Sequence, residues 1–173
     1  MPAYLDFMFV FGAQSDPSDL RFSGFRQQLI LEDPPYSAPI PIMGRSGRQF
    51  QLCYNLNGVT LVSEDPESIK DHHWTVRQAA IHHQFDIVYG TTLWIVTKGR
   101  QDILQRFKQL TGPDGRLEEK SFGNSYECFR SSLATHLMYC HWSTEDWRWY
   151  LHWLETIFDT EVSSTRSLYH SPF

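Results

Sequence analysis

The chain has 173 residues, a formal net charge of −5 and 41% hydrophobic residues, which is the composition of an ordinary globular domain. The acidic balance argues against a surface for nucleic-acid backbones, and no apolar run approaches the ~20 residues that span a bilayer. Three cysteines without the spacing of a disulfide scaffold predict reduced thiols and a cytoplasmic location.

The first third of the chain contains two predicted strands and an ambiguous start. Residues 1–12 fit an opening strand or a short amphipathic helix equally well, whereas residues 28–31 favour a strand. Residues 48–56 alternate between apolar and polar side chains, which indicates a half-buried strand. The following Asn57-Gly58 is the preferred pair of a type I′ turn, so we expect a hairpin with a return strand over residues 59–62.

The strongest structural signal is the stretch from residue 74 to residue 99. Residues 74–85 and 91–97 are rich in β-branched and aromatic side chains, and Tyr89-Gly90 predicts a tight turn between two long strands. Neither face of the first strand is polar, so we expect it to be covered on both sides.

Two adjacent histidines lie on this first strand. Neighbours on a strand point to opposite faces, so we expect one of His82 and His83 to be buried, near Trp74 or Trp94. A buried histidine close to Asp86 would suit acid–base chemistry near neutral pH. A core histidine hydrogen-bonded to a backbone carbonyl is the more ordinary alternative.

Helical periodicity replaces strand periodicity after residue 99. A first helix is predicted up to Gly112-Pro113. Asn124 or Ser125 is placed to cap a second helix, with Glu127 positioned for a capping box from Asn124. The apolar stripe predicted for the second helix consists of Phe129, Leu133, Leu137 and Cys140.

The third predicted helix begins at Ser143, with Glu145 and Asp146 in its first turn, where the helix dipole favours negative charge. It carries two stripes: Trp147, Leu151, Leu154 and Phe158 on one, and Trp149, Trp153 and Thr156 on the other. We predict that Trp147 faces the core and that Trp149 or Trp153 contacts something else.

These elements predict an α+β fold in one domain over residues 1–160, followed by a polar tail over residues 161–173. The first part is an antiparallel sheet or a small, possibly PH-like barrel, and three helices pack on it.

Two local patterns suggest ligand sites, and both have simpler interpretations. Residues 44–47 (GRSG) offer backbone N–H groups to a phosphate, but the Gly-Lys-Ser/Thr ending of a P-loop is absent, so a turn is the better interpretation. His136 and Cys140 are four residues apart and can face one metal, but no CxxC or HExxH motif supports them. We therefore expect neither a metal nor a cofactor.

The segments GRSGRQFQLCYNL, WTVRQAAIHHQFD and SSLATHLMYCHWSTEDWRWYLHWLE resemble a large fungal group of CorA-like transporter-domain proteins. The resemblance covers residues 4–158 and corresponds to the soluble N-terminal region of that family. It implies a cytosolic accessory domain that stands alone here, without the membrane part. The Gly-Met-Asn signature of CorA channels is absent, so we do not expect this chain to conduct ions by itself.

Two functions remain open at this point. The first is a non-enzymatic domain that binds a partner protein or a second copy through its aromatic helices. The second is a small cofactor-independent isomerase or cyclase that holds an apolar molecule in a pocket lined by tryptophan and histidine. The candidate binding residues are Trp94, Trp142, Trp147, Trp149 and Trp153, and the candidate acid–base residues are His83 and His136. Core packing against the sheet is the simplest alternative role of the tryptophans.

Overall fold

The computed structural model describes residues 2–9, 24–32, 39–63, 73–98 and 101–169. The polar stretches 13–19 and 63–73 and the proline-rich stretch 33–41 predict loops, and these lie largely outside the described residues. The main elements are, in chain order, α1 (Pro2–Phe9), β1 (Phe25–Ile30), β2 (Gln49–Ser63), β3 (His73–Asp86), β4 (Thr92–Lys98), α2 (Gln101–Thr111), α3 (Ser125–Thr144) and α4 (Trp147–Tyr169). The chain divides into two compact units, residues 1–57 with 78–142 and residues 58–77 with 143–173.

The four strands form one antiparallel sheet in the order β1-β2-β3-β4, so β1 and β4 are its edges. Phe25 of β1 lies opposite Tyr54 of β2, and His83 of β3 lies opposite Trp94 of β4. The predicted α+β class, a sheet followed by helices, is confirmed. The barrel alternative is wrong, because the described sheet is open; closing a sheet around packed side chains takes roughly eight strands.

The predicted hairpin between β3 and β4 is confirmed. Ile87 to Tyr89 form the turn, and Gly90 has a φ of 70°. The Gly90 N–H donates to the Asp86 carbonyl oxygen at 2.9 Å. A Cβ at Gly90 would lie 2.9 Å from the Ser125 Cα, so both the positive φ and the close approach of α3 require glycine here.

The hairpin predicted at Asn57-Gly58 is wrong, because β2 runs through both residues without a break. A type I′ turn needs φ > 0 at both central positions. The described residues with positive φ are Gly44, Gly47, Gly90 and Asp146. Among the described residues β1 pairs with β2 from Gln49 to Tyr54, and β2 then continues as a strand through Asn57 and Gly58. The place of β2 inside the sheet, between β1 and β3, overrides the local turn preference.

Both faces of the sheet are covered in the first unit, as predicted for β3. On one face, α2 and α3 bury a cluster made of Tyr54, Ala79, Ile81, Ile103, Tyr139 and Trp142. On the other face, α1 packs through Tyr4 and Phe7 against Cys53 and Ala80. The ambiguity at the start of the chain is thus resolved for residues 2–9 in favour of a helix, which buries Tyr4 and Phe7 on the sheet.

The predicted first and second helices correspond to α2 and α3. Asn124 caps α3, since its Oδ1 accepts the Glu127 N–H at 3.0 Å. The Glu127 carboxylate accepts from the Ser121 hydroxyl at 2.6 Å and from the Gly123 N–H at 2.9 Å. These bonds satisfy orphan donors at the start of the helix.

The buried face of α3 combines three small polar residues with two aromatic ones, so the predicted apolar stripe is not the face that packs on the sheet. Its buried residues are Ser131, Ser132, Thr135, Tyr139 and Trp142. Their burial is possible because local acceptors satisfy hydroxyls: Ser131 donates to the Ser121 carbonyl and Thr135 to the Ser131 carbonyl. The stripe of Phe129, Leu133, Leu137 and Cys140 is instead exposed.

The second unit contains α4 and the neighbouring parts of β2 and β3. Contrary to the prediction, α4 begins at Trp147, because Ser143 and Thr144 still belong to α3. Glu145 and Asp146 therefore precede the first turn of α4, and Asp146 has a φ of 63°. The segment 161–169, predicted as tail, continues α4.

Candidate functional site

His82 and His83 are both fully buried, whereas the sequence predicts that only one of them is inside. They point to opposite faces of β3, and both faces of the sheet are covered in this unit. His83 lies on the face that meets α3, where His136 projects toward the sheet. The structure therefore brings both predicted acid–base residues together.

A continuous hydrogen-bonded chain links four side chains on this face. The Tyr54 hydroxyl lies 2.6 Å from His136 Nδ1, and His136 Nε2 lies 2.9 Å from His83 Nδ1. His83 Nε2 lies 2.8 Å from the Thr92 Oγ1. Both nitrogens of each imidazole are thus engaged. This hydrogen-bonded chain of side chains runs from the buried Tyr54 to Thr92, which is exposed at the start of β4.

Each neutral imidazole in this chain carries one N–H, so the protons can be placed in one of two opposite orders. We assign the order in which both end hydroxyls have an acceptor among the bonds described. In that order Tyr54 donates to His136, His136 donates through Nε2–H to His83, and His83 donates through Nε2–H to Thr92. The Thr92 hydroxyl then has the Gln84 carbonyl oxygen as its acceptor at 3.5 Å.

Aromatic rings enclose the two imidazoles. Trp94 stacks on His83 with ring centroids 3.9 Å apart and planes within 9°, and its ring also lies 4.6 Å from that of His136. Tyr139 meets Trp94 edge to face at 5.7 Å. Phe50 packs edge to face on His83 at 5.4 Å. The rings exclude water and fix the orientation of the histidines.

This environment strongly favours the neutral forms of the titratable groups. Burial lowers the pKa of His83 to about 3, and the proximity of His136 and His82 lowers it further in the same direction. Burial also lowers the pKa of His136 to about 4. The pKa of the Tyr54 hydroxyl is raised, first by burial. At neutral pH the pair is uncharged, and either imidazole is a weak base.

Asp86 is not the partner of a histidine, contrary to the acid–base hypothesis. Its carboxylate accepts from the Ser46 N–H at 2.6 Å and from the Ser46 hydroxyl at 2.9 Å. It also accepts from the N–H groups of Val88 and Tyr89, both at 3.0 Å. Burial raises the pKa of Asp86, but these donors outweigh it and hold the pKa below its ordinary value.

The loop over residues 44–47 is the turn that the sequence favours. The backbone N–H of Ser46, which the phosphate interpretation assigned to a ligand, is occupied by the Asp86 carboxylate. The Asp86 carboxylate thus takes the place that a bound phosphate would have in this loop. Gly44, with a φ of 61°, accepts a hydrogen bond from the Thr91 hydroxyl, which anchors the loop beside β4.

A small polar pocket of about 120 Å³ opens where the histidine chain ends. It is lined by Met43, Arg45, Gln84, Asp86, Thr91, Thr92 and Leu93. Thr92 is therefore the residue common to the pocket lining and the buried hydrogen-bonded chain.

His82 has a separate environment on the opposite face. Its Nδ1 lies 3.1 Å from the Cys53 sulfur, and its ring lies 5.4 Å from that of Tyr4. Burial lowers the pKa of His82 and raises the pKa of the Cys53 thiol. Among the described residues, no group of three or more His, Cys, Asp or Glu side chains is arranged to hold a metal ion.

The predicted binding tryptophans divide between the two units. Trp94 and Trp142 belong to the first unit, and Trp142 is buried in its core. The other three belong to the second unit. There Tyr150 stacks on Trp153 at 5.7 Å and also contacts Trp74 and Trp147.

The two stripes of α4 do not divide into one buried and one exposed face, because each carries half-buried and exposed residues. Leu151, Leu154 and Phe158 are 52%, 39% and 67% exposed, so this stripe does not face a core. Trp147 is half-buried at its end, and Trp153 of the other stripe is half-buried too. Trp149 is 60% exposed and lies under the Arg148 guanidinium, 5.7 Å from its carbon. Trp149 thus has the outward position that the sequence predicts for it.

Sequence reasoning missed three members of the histidine site: Tyr54, Thr92 and Arg45. Thr92 lies two residues from Trp94 along β4, which places it diagonally from His83 once the register is known. Tyr54 lies on the apolar face of β2, where its ring gave no indication of a polar partner 82 positions away. Arg45 had been considered only as part of a glycine loop.

Among the described residues, no helix is long and apolar enough to cross a membrane. No curated protein and no solved structure matches the chain. The sequence matches the family described as CorA-like transporters over residues 1–166, which is nearly its whole length. With this match, and in agreement with the resemblance of its strand and helix segments, the chain belongs to the CorA-like transporter family.

Proposed function

We propose that this chain is a non-enzymatic accessory domain of the CorA-like family that binds a basic amphipathic helix of a partner protein along α4. The observation that carries the proposal is the exposed row of Leu151, Leu154 and Phe158. These residues follow i, i+3, i+7 spacing, so they form one continuous apolar stripe on the helix. An apolar row of this kind is the surface that receives a second amphipathic helix in helix-groove recognition.

The charges beside the row indicate the chemistry of the partner. In helical projection Glu155 and Asp159 border the row on one side and Glu161 borders it on the other, and all three are exposed. Arg148 is the only arginine or lysine between residues 147 and 165, and the whole chain carries a net charge of −5. A partner helix with lysine or arginine beside its own apolar row complements the carboxylates that border the row on α4.

The same charges argue against a second copy as the partner. If two copies of α4 paired antiparallel with Leu151 opposite Phe158, the Glu155 carboxylates of the two copies would lie at nearly the same height along the helix pair. If the copies paired parallel and in register, the two Glu155 carboxylates would lie directly opposite each other. Like charges at such positions destabilise helix pairs and select against the homodimer.

The enzyme alternative has weaker support. His83 and His136 lie together with Trp94, but their low pKa values make them poor bases near neutral pH. The hydrogen-bond direction also has His83 donating to Thr92 rather than accepting its proton. Binding through α4 therefore accounts for the exposed apolar row, whereas catalysis at the histidine pair does not.

The test uses a labelled helical peptide with leucine at i, i+3, i+7 positions and lysine on both flanks. We expect saturable binding by fluorescence anisotropy, weakened by added salt because the flanking contacts are electrostatic. Leu154→Asp should weaken binding by about tenfold or more, since it removes one buried leucine contact. The control is Leu104→Asp, which makes the same change at an exposed leucine of α2.

Three outcomes would overturn the proposal. One is equal binding of a peptide whose lysines are replaced by glutamates, because charge would then not select the partner. A second is an equal loss in Leu104→Asp. The third is a dimer in sedimentation that Leu154→Asp dissolves, which would assign the row to a second copy.

A further inference from the structure

The edge of the sheet at β1 presents backbone groups that do not bond to β2. Among the described residues, β2 is the strand that pairs with β1. The Asn55 N–H donates to the Gly24 carbonyl oxygen at 3.3 Å, and these two residues continue the register of the β1–β2 pair. Hydrogen-bonded and non-bonded pairs alternate along an antiparallel ladder. The even-numbered residues of β1 therefore bond to β2, whereas Phe25, Gln27 and Leu29 direct their N–H and C=O groups away from it.

β1 lacks the features that keep exposed strand edges from pairing. All of its residues are exposed except Ile30, and Phe25 and Leu29 are 61% and 56% exposed. Natural edge strands are protected by lysine, proline, inward-pointing charges or bulges. The β1 sequence, FRQQLI, contains no lysine, proline or carboxylate, and it pairs with β2 in an unbroken register. Such an edge is suited to accept a further strand.

We propose that β1 pairs with β1 of a second copy of this chain, antiparallel and about a two-fold axis at Gln27. In this register Gln27 lies opposite Gln27 of the second copy, and Phe25 lies opposite Leu29 of the second copy. Each of these pairs exchanges two backbone hydrogen bonds, because all of its members direct their N–H and C=O groups outward. The interface does not involve the α4 row or the partner helix proposed for it.

The side chains select this register over its neighbours. Outward-directed backbone groups meet only where odd-numbered residues lie opposite odd-numbered residues. The axis at Gln27 places Phe25 beside Leu29 at both ends of the pair, so these exposed apolar side chains leave water together. Moving the axis one residue along the strand would instead oppose Gln27 to Leu29 and Phe25 to Leu31. Leu31 lies beyond the end of β1, and its carbonyl oxygen already accepts from Arg48 Nε at 2.8 Å.

The charge pattern suits a second copy as the occupant of this edge. Arg26 is the one charged residue of β1. In the proposed register it lies opposite Gln28 of the second copy, so the two guanidinium groups do not oppose each other. A strand without carboxylates also offers a surface for self-association in a chain whose net charge is −5. One strand per copy buries less than the ~1,600 Å² of a standard interface, so we expect a weak and reversible dimer.

Sedimentation equilibrium over protein concentrations from about 10 μM to about 1 mM tests the pairing, because a weak dimer dissociates in this range. We expect a reversible monomer–dimer equilibrium in the parent chain. Gln27→Pro should weaken association by about tenfold or more, because it removes an outward N–H and leaves the bonds to β2 in place. Gln27→Thr retains this N–H and should associate as the parent chain does. Circular dichroism checks that both variants are folded.

Leu29→Lys is a second variant that leaves the backbone unchanged, since a lysine on an edge strand opposes pairing. It should weaken association, whereas Leu117→Lys should not, because that leucine is 80% exposed and lies outside the sheet. Leu154→Asp on α4 should also leave the dimer intact, which separates this interface from the surface proposed for the partner helix.

Mixing two variants tests the register. Phe25→Glu and Leu29→Lys should each dimerise weakly alone, and a mixture of the two should associate more strongly, because the register places the new carboxylate opposite the new ammonium group. A mixture that associates no better than its components would overturn the register.

Three further outcomes would overturn the dimer. A parent chain that stays monomeric at about 1 mM would exclude the second copy and leave the edge to a strand of a different protein. A dimer that persists in both Gln27→Pro and Leu29→Lys would show that the copies meet elsewhere. A dimer that Leu154→Asp dissolves would assign the contact to α4.

Discussion

His83 Nδ1 and His136 Nε2 lie 2.9 Å apart, although the two residues are 53 positions apart in the chain. The bond joins β3 to α3 in the middle of the first unit, and it is flanked by bonds to Thr92 and Tyr54. A buried polar pair is costly unless every atom is satisfied. Because all four ring nitrogens have partners here, the pair is stable as two neutral imidazoles.

Removing the Tyr54 hydroxyl should destabilise the protein. Tyr54→Phe keeps the buried ring but leaves His136 Nδ1 without a donor, so we expect a loss of about 1 to 3 kcal/mol in the free energy of unfolding. Urea unfolding followed by circular dichroism measures it. The matched control is Tyr126→Phe on α3, whose side chain is 71% exposed. If the two variants unfold at the same urea concentration, the hydrogen-bonded chain contributes nothing to stability.

Stability should fall as the pH is lowered from neutral. His83 and His136 have pKa values of about 3 and 4 when folded, below the ordinary 6.5. Below pH 6.5 the unfolded chain therefore binds protons that the folded chain does not. The free energy of unfolding keeps falling until the pH reaches the pKa values that the two histidines have in the folded protein. Above about pH 7 these groups are neutral in both states, so their contribution is constant.

The measurement compares urea midpoints at about pH 7.5 and about pH 5, a window that lies above the titration of the carboxylates. His82, whose pKa is also lowered by burial, adds to the same trend. The double variant His83→Gln/His136→Asn should show a shallower pH dependence than the parent chain. A parent chain that is as stable at the lower pH as at the higher one contradicts the neutral buried pair.

Asp86→Ala should be more damaging than the same change at an exposed aspartate. Asp86 accepts from the Ser46 N–H and hydroxyl and from the N–H groups of Val88 and Tyr89. Its removal leaves these donors unpaired, and we expect a loss of roughly 2 to 4 kcal/mol. The control is Asp114→Ala, in an exposed turn after α2. Equal thermal melts of the two variants would show that the carboxylate does not hold the loop.

Trp153 and Trp149 provide a matched pair on one helix. Trp153 is half-buried, with a fully buried indole nitrogen and a ring stacked on Tyr150, whereas Trp149 is 60% exposed. We expect Trp153→Ala to cost about 2 to 4 kcal/mol and Trp149→Ala less than about 0.5 kcal/mol. Thermal melts of the two variants distinguish the inner face of α4 from its outer face. The reverse order would mean that this assignment of faces is wrong.

We also predict that the chain unfolds in one transition. The two compact units are linked by more than a single connection, because β2 and β3 each supply residues to both. A ladder that continues through both units couples their unfolding. Far-ultraviolet circular dichroism and tryptophan fluorescence should therefore report the same urea midpoint. Two separated midpoints would instead define two independently stable units, rather than the single domain that the sequence predicts.

The sequence by itself determined the elements whose signal is local. The alternation of residues 74–85 and 91–97 around Tyr89-Gly90 predicted β3, β4 and their turn, because period and turn chemistry are properties of neighbouring residues. The Asn124 cap and the first two helices followed for the same reason. His83, His136 and Trp94 were identified individually as candidates, and the resemblance of three segments identified the family.

Only the tertiary structure decided which faces meet and which polar atoms pair. Asn57-Gly58 has a strong local turn preference, yet β2 runs through both residues as an inner strand of the sheet. Helical periodicity located the stripes of α3 and α4 but could not say which of them packs inward. On α3 the small polar residues can be buried because the hydroxyls of Ser131 and Thr135 donate to backbone carbonyls, while His136 of the same helix bonds to His83 and Tyr54 of the sheet. Such pairings depend on contacts across 53 and 82 positions, which no local pattern encodes.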